Sequence, residues 1–149
     1  MLRYLLCFGL TVPDGEEVIQ EVFLSLFQHL RRGRPDDNLR GWLFRVSHNL
    51  ALKRRSRNRR NFETLIEAGT EDLAIDPSPS PEEQIVDSQT QQRLIAVFQA
   101  LPEQDRRCLA LRAEGLRYRE IARILDMSLG AVSISLARSL ARMARSAER

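Results

Sequence analysis

A chain of 149 residues carrying 23 Lys and Arg against 20 Asp and Glu, a net charge of +3, has room for one medium domain or two small ones. No apolar run is long enough to span a bilayer, and the opening MLRYLLCFGL is too short and lacks a small-residue cleavage site, so membrane insertion is not expected and the chain reads as cytoplasmic. Cys7 and Cys108 stand in no CxxC or Cys/His cluster, and no glycine-rich phosphate loop or nucleophile–base pair is present; the expectation is a non-enzyme with no metal and no cofactor.

Charge is distributed unevenly. Residues 1–62 carry twelve Lys and Arg against six Asp and Glu, residues 63–92 none against eight, and residues 93–149 eleven against six. Two basic modules on either side of an acidic stretch suggest two surfaces for a polyanion, although acidic linkers also serve simply as solubility devices.

In chain order, residues 2–10 form a short apolar segment, and a strong helix follows Pro13 and runs to about Leu30. Its apolar residues come in pairs, Val18 and Ile19, Val22 and Phe23, Leu26 and Phe27, then Leu30, a stripe wide enough for two neighbours. Asp14, Glu16, Glu17 and Glu21 load its early turns with charge that suits the helix dipole. After the loop RRGRPDDN, in which Asp36, Asp37 or Asn38 is a fitting cap, a long helix is predicted with Leu39, Trp42, Leu43, Val46 and Leu50 on its buried side and the basic run KRRSRNRR from Lys53 to Arg60. Residues 61–89, with IDPSPSPEE, read as an acidic, Pro-containing linker. Leu94, Val97, Phe98 and Leu101 then mark a helix ending before Pro102, and residues 105–114 another. No alternating strand pattern occurs. The expected fold is all-α, with two small helical domains, residues 1–60 and 90–149.

Residues 118–142, YREIARILDMSLGAVSISLARSLAR, read as a helix-turn-helix. Tyr118, Ile121, Ala122 and Leu125 recur at helical spacing; Asp126, Met127 and Ser128 make the turn; Ser128 suits the cap of a second helix whose inward stripe is predicted as Val132, Leu136, Leu140 and Met143. The opposite face is left for the major groove, unless the two helices are an ordinary core pair.

Taken together, EEVIQEVF (residues 16–23), LRGWLFRVSHNLA (39–51) and LPEQDRRCLALRAEGLRYREIARILDMS (101–128) resemble an extracytoplasmic-function (ECF) sigma factor of bacterial RNA polymerase, in the order region 2 then region 4. The resemblance implies that core RNA polymerase and promoter DNA are partners, with an anti-sigma factor as regulator. It implies a polymerase contact through Glu17, Gln20 and Glu21. For the −10 element it implies Arg40, Arg45, His48, Asn49, Lys53 and Arg54, beside the loop of residues 31–38; Trp42 is either a stacking platform or a core residue. For the −35 element it implies Ser128, Ala131, Ser133, Ile134, Ser135 and Arg138, with Arg119, Arg142 and Arg145 on phosphates.

The chain also departs from that family. Region 2 is expected to be shortened at its N-terminus, since the family's first helix precedes the point where MLRYLLCFGL begins. Asp126 stands at a turn position usually held by glycine. Ser133 and Ser135 stand where Lys and Arg are common, and Ala131 where threonine is, which lowers the charge of the recognition helix. Two other readings therefore stay open: a sigma-like protein that binds polymerase or an anti-sigma factor without opening promoters, and a plain helix-turn-helix regulator.

Overall fold

The computed structural model describes residues 1–35, 37–67 and 89–148. Within them the chain forms α1 (Leu2–Leu6), α2 (Val12–Arg31), α3 (Leu39–Glu67), α4 (Gln89–Gln99), α5 (Glu103–Ala113), α6 (Tyr118–Leu125) and α7 (Leu129–Ala147), and no strand. The contacts fall into two compact units, Met1–Ser78 and Pro79–Arg149. No single helix among the described residues is long and apolar enough to cross a membrane.

In the N-terminal unit, α1, α2 and α3 pack on one another. Thr11 starts α2: its Oγ1 accepts the Asp14 N–H at 3.3 Å, and Pro13 occupies the first turn, where no backbone donor is needed. Gly15 lies under α1, and a Cβ there would meet Leu2 Cδ1, the far end of a flexible side chain, at 2.8 Å, so Leu2 would have to shift to admit one. Asn38 is the cap chosen for α3, its Oδ1 accepting the Gly41 N–H at 3.1 Å. The helix then continues past Arg60 to Glu67; most of the stretch expected as linker, residues 68–88, lies outside the described residues.

The core of this unit corrects the expected face of α3. Its buried residues are Phe44, Ser47, His48 and Ala51, while Trp42, Leu43, Val46 and Leu50 are half-buried. The innermost face is displaced by one residue from the apolar stripe, about 100° on an α-helix. The reason lies in α1, whose Tyr4 and Phe8 bring an aromatic cluster against α3: Tyr4 stacks edge-on against Phe8 and Phe44, and its hydroxyl meets His48 Nδ1 at 2.7 Å. A polar histidine buried against a phenol satisfies both groups at once. Only part of the broad stripe of α2 is covered: Val18 and Val22 are buried, whereas Phe23, Leu24, Phe27 and Leu30 are exposed.

In the C-terminal unit, α4, α5 and α6 each pack on α7. Leu101, Leu111, Leu116, Ile121, Ile124, Val132 and Leu136 make the core. Helices α6 and α7 meet at 105°, the bend of a helix-turn-helix. Asp126 takes the left-handed conformation, φ 53°, that closes α6, one of the few non-glycine types that does so readily. Ser128 Oγ then accepts the Ala131 N–H at 3.1 Å and starts α7. The inward face of α7 is Val132, Ser135, Leu136 and Ser139, with Met143 half-buried; Leu140, expected in that stripe, is 54% exposed. Ser135, which meets Asp105 of α5, and Ser139 join the inner row, so the stripe follows residues 132, 135, 136 and 139 instead of every fourth position.

Candidate nucleic-acid interface

Along α3, Arg45, Asn49 and Lys53 recur every four residues and are all exposed, so they form one row on the helix surface, continued by Ser56, Arg57 and Arg60. Arg40, in the first turn, is exposed but off this row. The row combines fixed positive charge for a phosphate backbone with an amide that both donates and accepts.

Two residues expected beside it are placed otherwise. His48 is 5% exposed and bound to Tyr4, on the inward side of α3. Arg54 is half-buried between α3 and α2, hydrogen-bonded to Glu17 Oε2 and 4.0 Å from Asp14 Oδ1. Asn58 Nδ2 donates to the other oxygen of Asp14 at 2.9 Å. Arg54 thus ties α3 to the start of α2, and Glu17, expected on a polymerase-binding face, is its partner. Gln20 and Glu21 are exposed on α2, one turn on from Glu17. Trp42 is half-buried with its ring 4.6 Å from that of His29, whose Nε2 meets the Pro35 carbonyl at 2.8 Å; the pair braces the loop between α2 and α3.

On α7, Ser133 and Ile134 are exposed, Ile134 at 65%, and Ala131 is half-buried. Arg119, Arg142 and Arg145 are exposed as well. An open hollow of about 630 Å³ at the start of α7 is lined by Arg117, Tyr118, Arg119, Leu129, Gly130 and Ser133. Arg117 and Gly130 had not been singled out from the sequence; the arginine precedes α6, outside the helical pattern, and the glycine leaves open space in which no atom lies within 4 Å of a Cβ position. Donors and cations facing a hollow at a helix N-terminus are suited to a phosphate.

Ser135 and Ser128 are not free surface groups. The Ser128 hydroxyl is engaged as the cap, and Ser135 is buried, donating to Asp105 Oδ1 at 2.7 Å. Arg138 donates to the same carboxylate twice, Nε to Oδ2 at 3.0 Å and Nη2 to Oδ1 at 2.7 Å. The Arg138 hydrogen bonds hold the Asp105 carboxyl below the ordinary aspartate range, against its burial, which pushes the other way, and the Ser135 bond adds to the lowering. Nearby, burial pushes the Cys108 thiol up, consistent with an inert core residue whose Sγ lies 3.6 Å from Met127 Sδ. Among the described residues no group of His, Cys, Asp and Glu is arranged to hold a metal ion.

Known proteins repeat this two-part arrangement. The profile of Sigma-70 region 2 matches residues 2–61 and that of Sigma-70, region 4 matches residues 91–143. The chain is 33% identical over 135 residues to the probable RNA polymerase sigma factor RfaY of Xanthomonas campestris, covering 87% of this chain and 33% of that one. It is 37% identical to the ECF RNA polymerase sigma factor SigE of Mycolicibacterium smegmatis, covering 80% of this chain and 46% of the relative. It is 31% identical to the ECF RNA polymerase sigma-E factor of Escherichia coli, covering 81% and 68%. The chain thus spans less than half the length of the first two. Among solved structures, the sigma factor RpoE of Bartonella quintana, in complex with the anti-sigma factor NepR, shares the fold with a TM-score of 0.64 at 16% identity, covering 99% of this chain and 89% of that one. With region 2 and region 4 both present, in that order, this chain belongs to the ECF sigma factors of the sigma-70 family.

Proposed function

We propose that this chain binds core RNA polymerase and directs it to promoters, catalysing no reaction of its own. The observation that carries the reading is the pairing, in one chain, of a region 2 unit bearing the exposed row Arg45, Asn49 and Lys53 with a region 4 helix-turn-helix. A plain helix-turn-helix regulator has no use for the first unit. Polymerase docking is assigned to the α2 surface of Gln20 and Glu21 with Glu17 at its edge, −10 contacts to Arg45, Asn49 and Lys53 with Arg40 nearby, and −35 contacts to Ala131, Ser133 and Ile134 with Arg119, Arg138, Arg142 and Arg145 on the backbone. In this reading His48, Ser135 and Arg54 hold these surfaces in shape. An anti-sigma factor, the partner held by the solved RpoE chain, is a further expected partner.

The test is transcription by core polymerase plus this chain on a library of genomic fragments from its own organism, with the RNA 5′ ends mapped. Initiation at a common promoter sequence is expected. Arg45→Ala is expected to leave core binding unchanged and to lower open-complex formation roughly tenfold, in keeping with about 1–3 kcal/mol for one lost DNA contact. Polymerase binding without initiation on any fragment would instead favour a sigma-like protein that does not open promoters.

A further inference from the structure

Asp105 is the only buried carboxylate among the described residues. It lies in the first turn of α5, with its side chain 4% exposed, and takes three hydrogen bonds from α7: one from Ser135 Oγ and two from the Arg138 guanidinium. Burying a carboxylate is costly unless it is paired, and here the pairing is two-pronged, the geometry that fixes a guanidinium in plane as well as in position. Arg138 itself is 50% exposed. Of its five N–H groups the carboxylate engages those on Nε and Nη2, and the Nη1 edge makes no hydrogen bond within the described residues. Arg142 follows one turn later and acts on the same carboxylate through its charge.

We propose that Asp105 is a positioning residue for DNA: through Arg138 it holds a preset guanidinium on the flank of α7, whose open edge grips one backbone phosphate. The inference rests on the reading of α7 as the DNA-facing helix. An unrestrained arginine loses side-chain freedom when it clasps a phosphate; this one has lost it on folding, so less is forfeited on binding. The buried carboxylate works as an anchor because Ser135 supplies its third donor from the inward face.

Coulomb's law alone predicts the reverse effect for Asp105, since removing a negative charge beside a DNA-binding surface strengthens attraction to a polyanion. That opposition of sign makes the proposal testable. The full-length chain is titrated against a short random-sequence duplex over a salt series, followed by fluorescence anisotropy, with folding checked by circular dichroism. Asp105→Asn is expected to weaken binding several-fold and to reduce the log–log salt slope by about 0.9, the loss of one phosphate contact. Arg138→Ala is expected to do the same, and the double variant to lose no more than either single one. Arg138→Lys keeps the charge but not the fork, alters a half-exposed side chain, and is expected to bind more weakly than the parent even if Asp105→Asn folds poorly. Parent-like or tighter binding by folded Asp105→Asn, additive losses in the double variant, or parent-like binding by Arg138→Lys would each overturn the proposal alone. Failure of the parent chain to bind duplex at any salt concentration would overturn the DNA-facing reading of α7 and the proposal together.

Discussion

The two units treat their longest apolar surfaces differently. In the C-terminal unit α7 is packed by three helices, and the side chains of Val132, Ser135, Leu136 and Ser139 are almost wholly removed from water. In the N-terminal unit α2 carries the wider apolar stripe but buries only Val18 and Val22 with Gly15, leaving Phe23, Leu24, Phe27 and Leu30 exposed. The broader stripe has the lesser cover within its own unit. Hydrophobic width in a helix therefore does not give the number of neighbours it meets.

The strongest way to sharpen this contrast is to open the better-packed core. Ile121 is fully buried in α6, and Ile121→Ala is expected to cost the C-terminal unit about 2–5 kcal/mol. Amide hydrogen exchange read by mass spectrometry should show α4 to α7 losing protection while α1 to α3 keep theirs. Simultaneous loss in both would mean that the two units unfold as one.

A smaller effect is expected in the N-terminal unit, whose centre is polar as well as apolar. Tyr4→Phe removes the buried hydroxyl that meets His48 and keeps the ring against Phe8 and Phe44. The expected loss is about 1 kcal/mol, the net worth of a buried hydrogen bond. Trp42, the only tryptophan of the chain, reports on this unit by fluorescence in a urea titration. An unchanged midpoint would show that ring packing alone positions His48.

Much of this was legible in the sequence, and what was not has a common cause. The α2 and α7 helices, the Ser128 cap and the helix-turn-helix declare themselves through local chemistry within one or two turns, while local chemistry narrows the cap of α3 only to Asp36, Asp37 or Asn38. The inward face of α3, and Ser135 and Ser139 on that of α7, did not, because periodicity counts apolar side chains and passes over a buried histidine or serine. His48 is buried because Tyr4, 44 residues earlier, gives it a partner; Ser135 and Arg138 are engaged because Asp105 lies 30 and 33 residues before them. Pairings of that range leave no local pattern. They also decide which of these side chains reach the surface: Arg45, Asn49 and Lys53 are exposed, and His48 is buried.

The smallest expected effect is the most direct test of the contrast itself. Phe27 is 61% exposed on α2, so little of its surface has been removed from water by folding. Replacing it should therefore cost little, since hydrophobic stabilisation scales with the area buried and not with the size of the side chain. Phe27→Ser is expected to shift the stability of the N-terminal unit by no more than about 0.5 kcal/mol, read by Trp42 fluorescence in urea, as for surface positions in general. Val22→Ala, five residues earlier but fully buried, serves as the internal control and should cost measurably more because it leaves a void. If the two variants were equally destabilised, the outer face of α2 would have to be as well covered in solution as the inner one, and the difference between the units would vanish. If they separate as expected, the phenylalanines of α2 contribute little to folding, and their presence on the surface answers to something other than the stability of the unit.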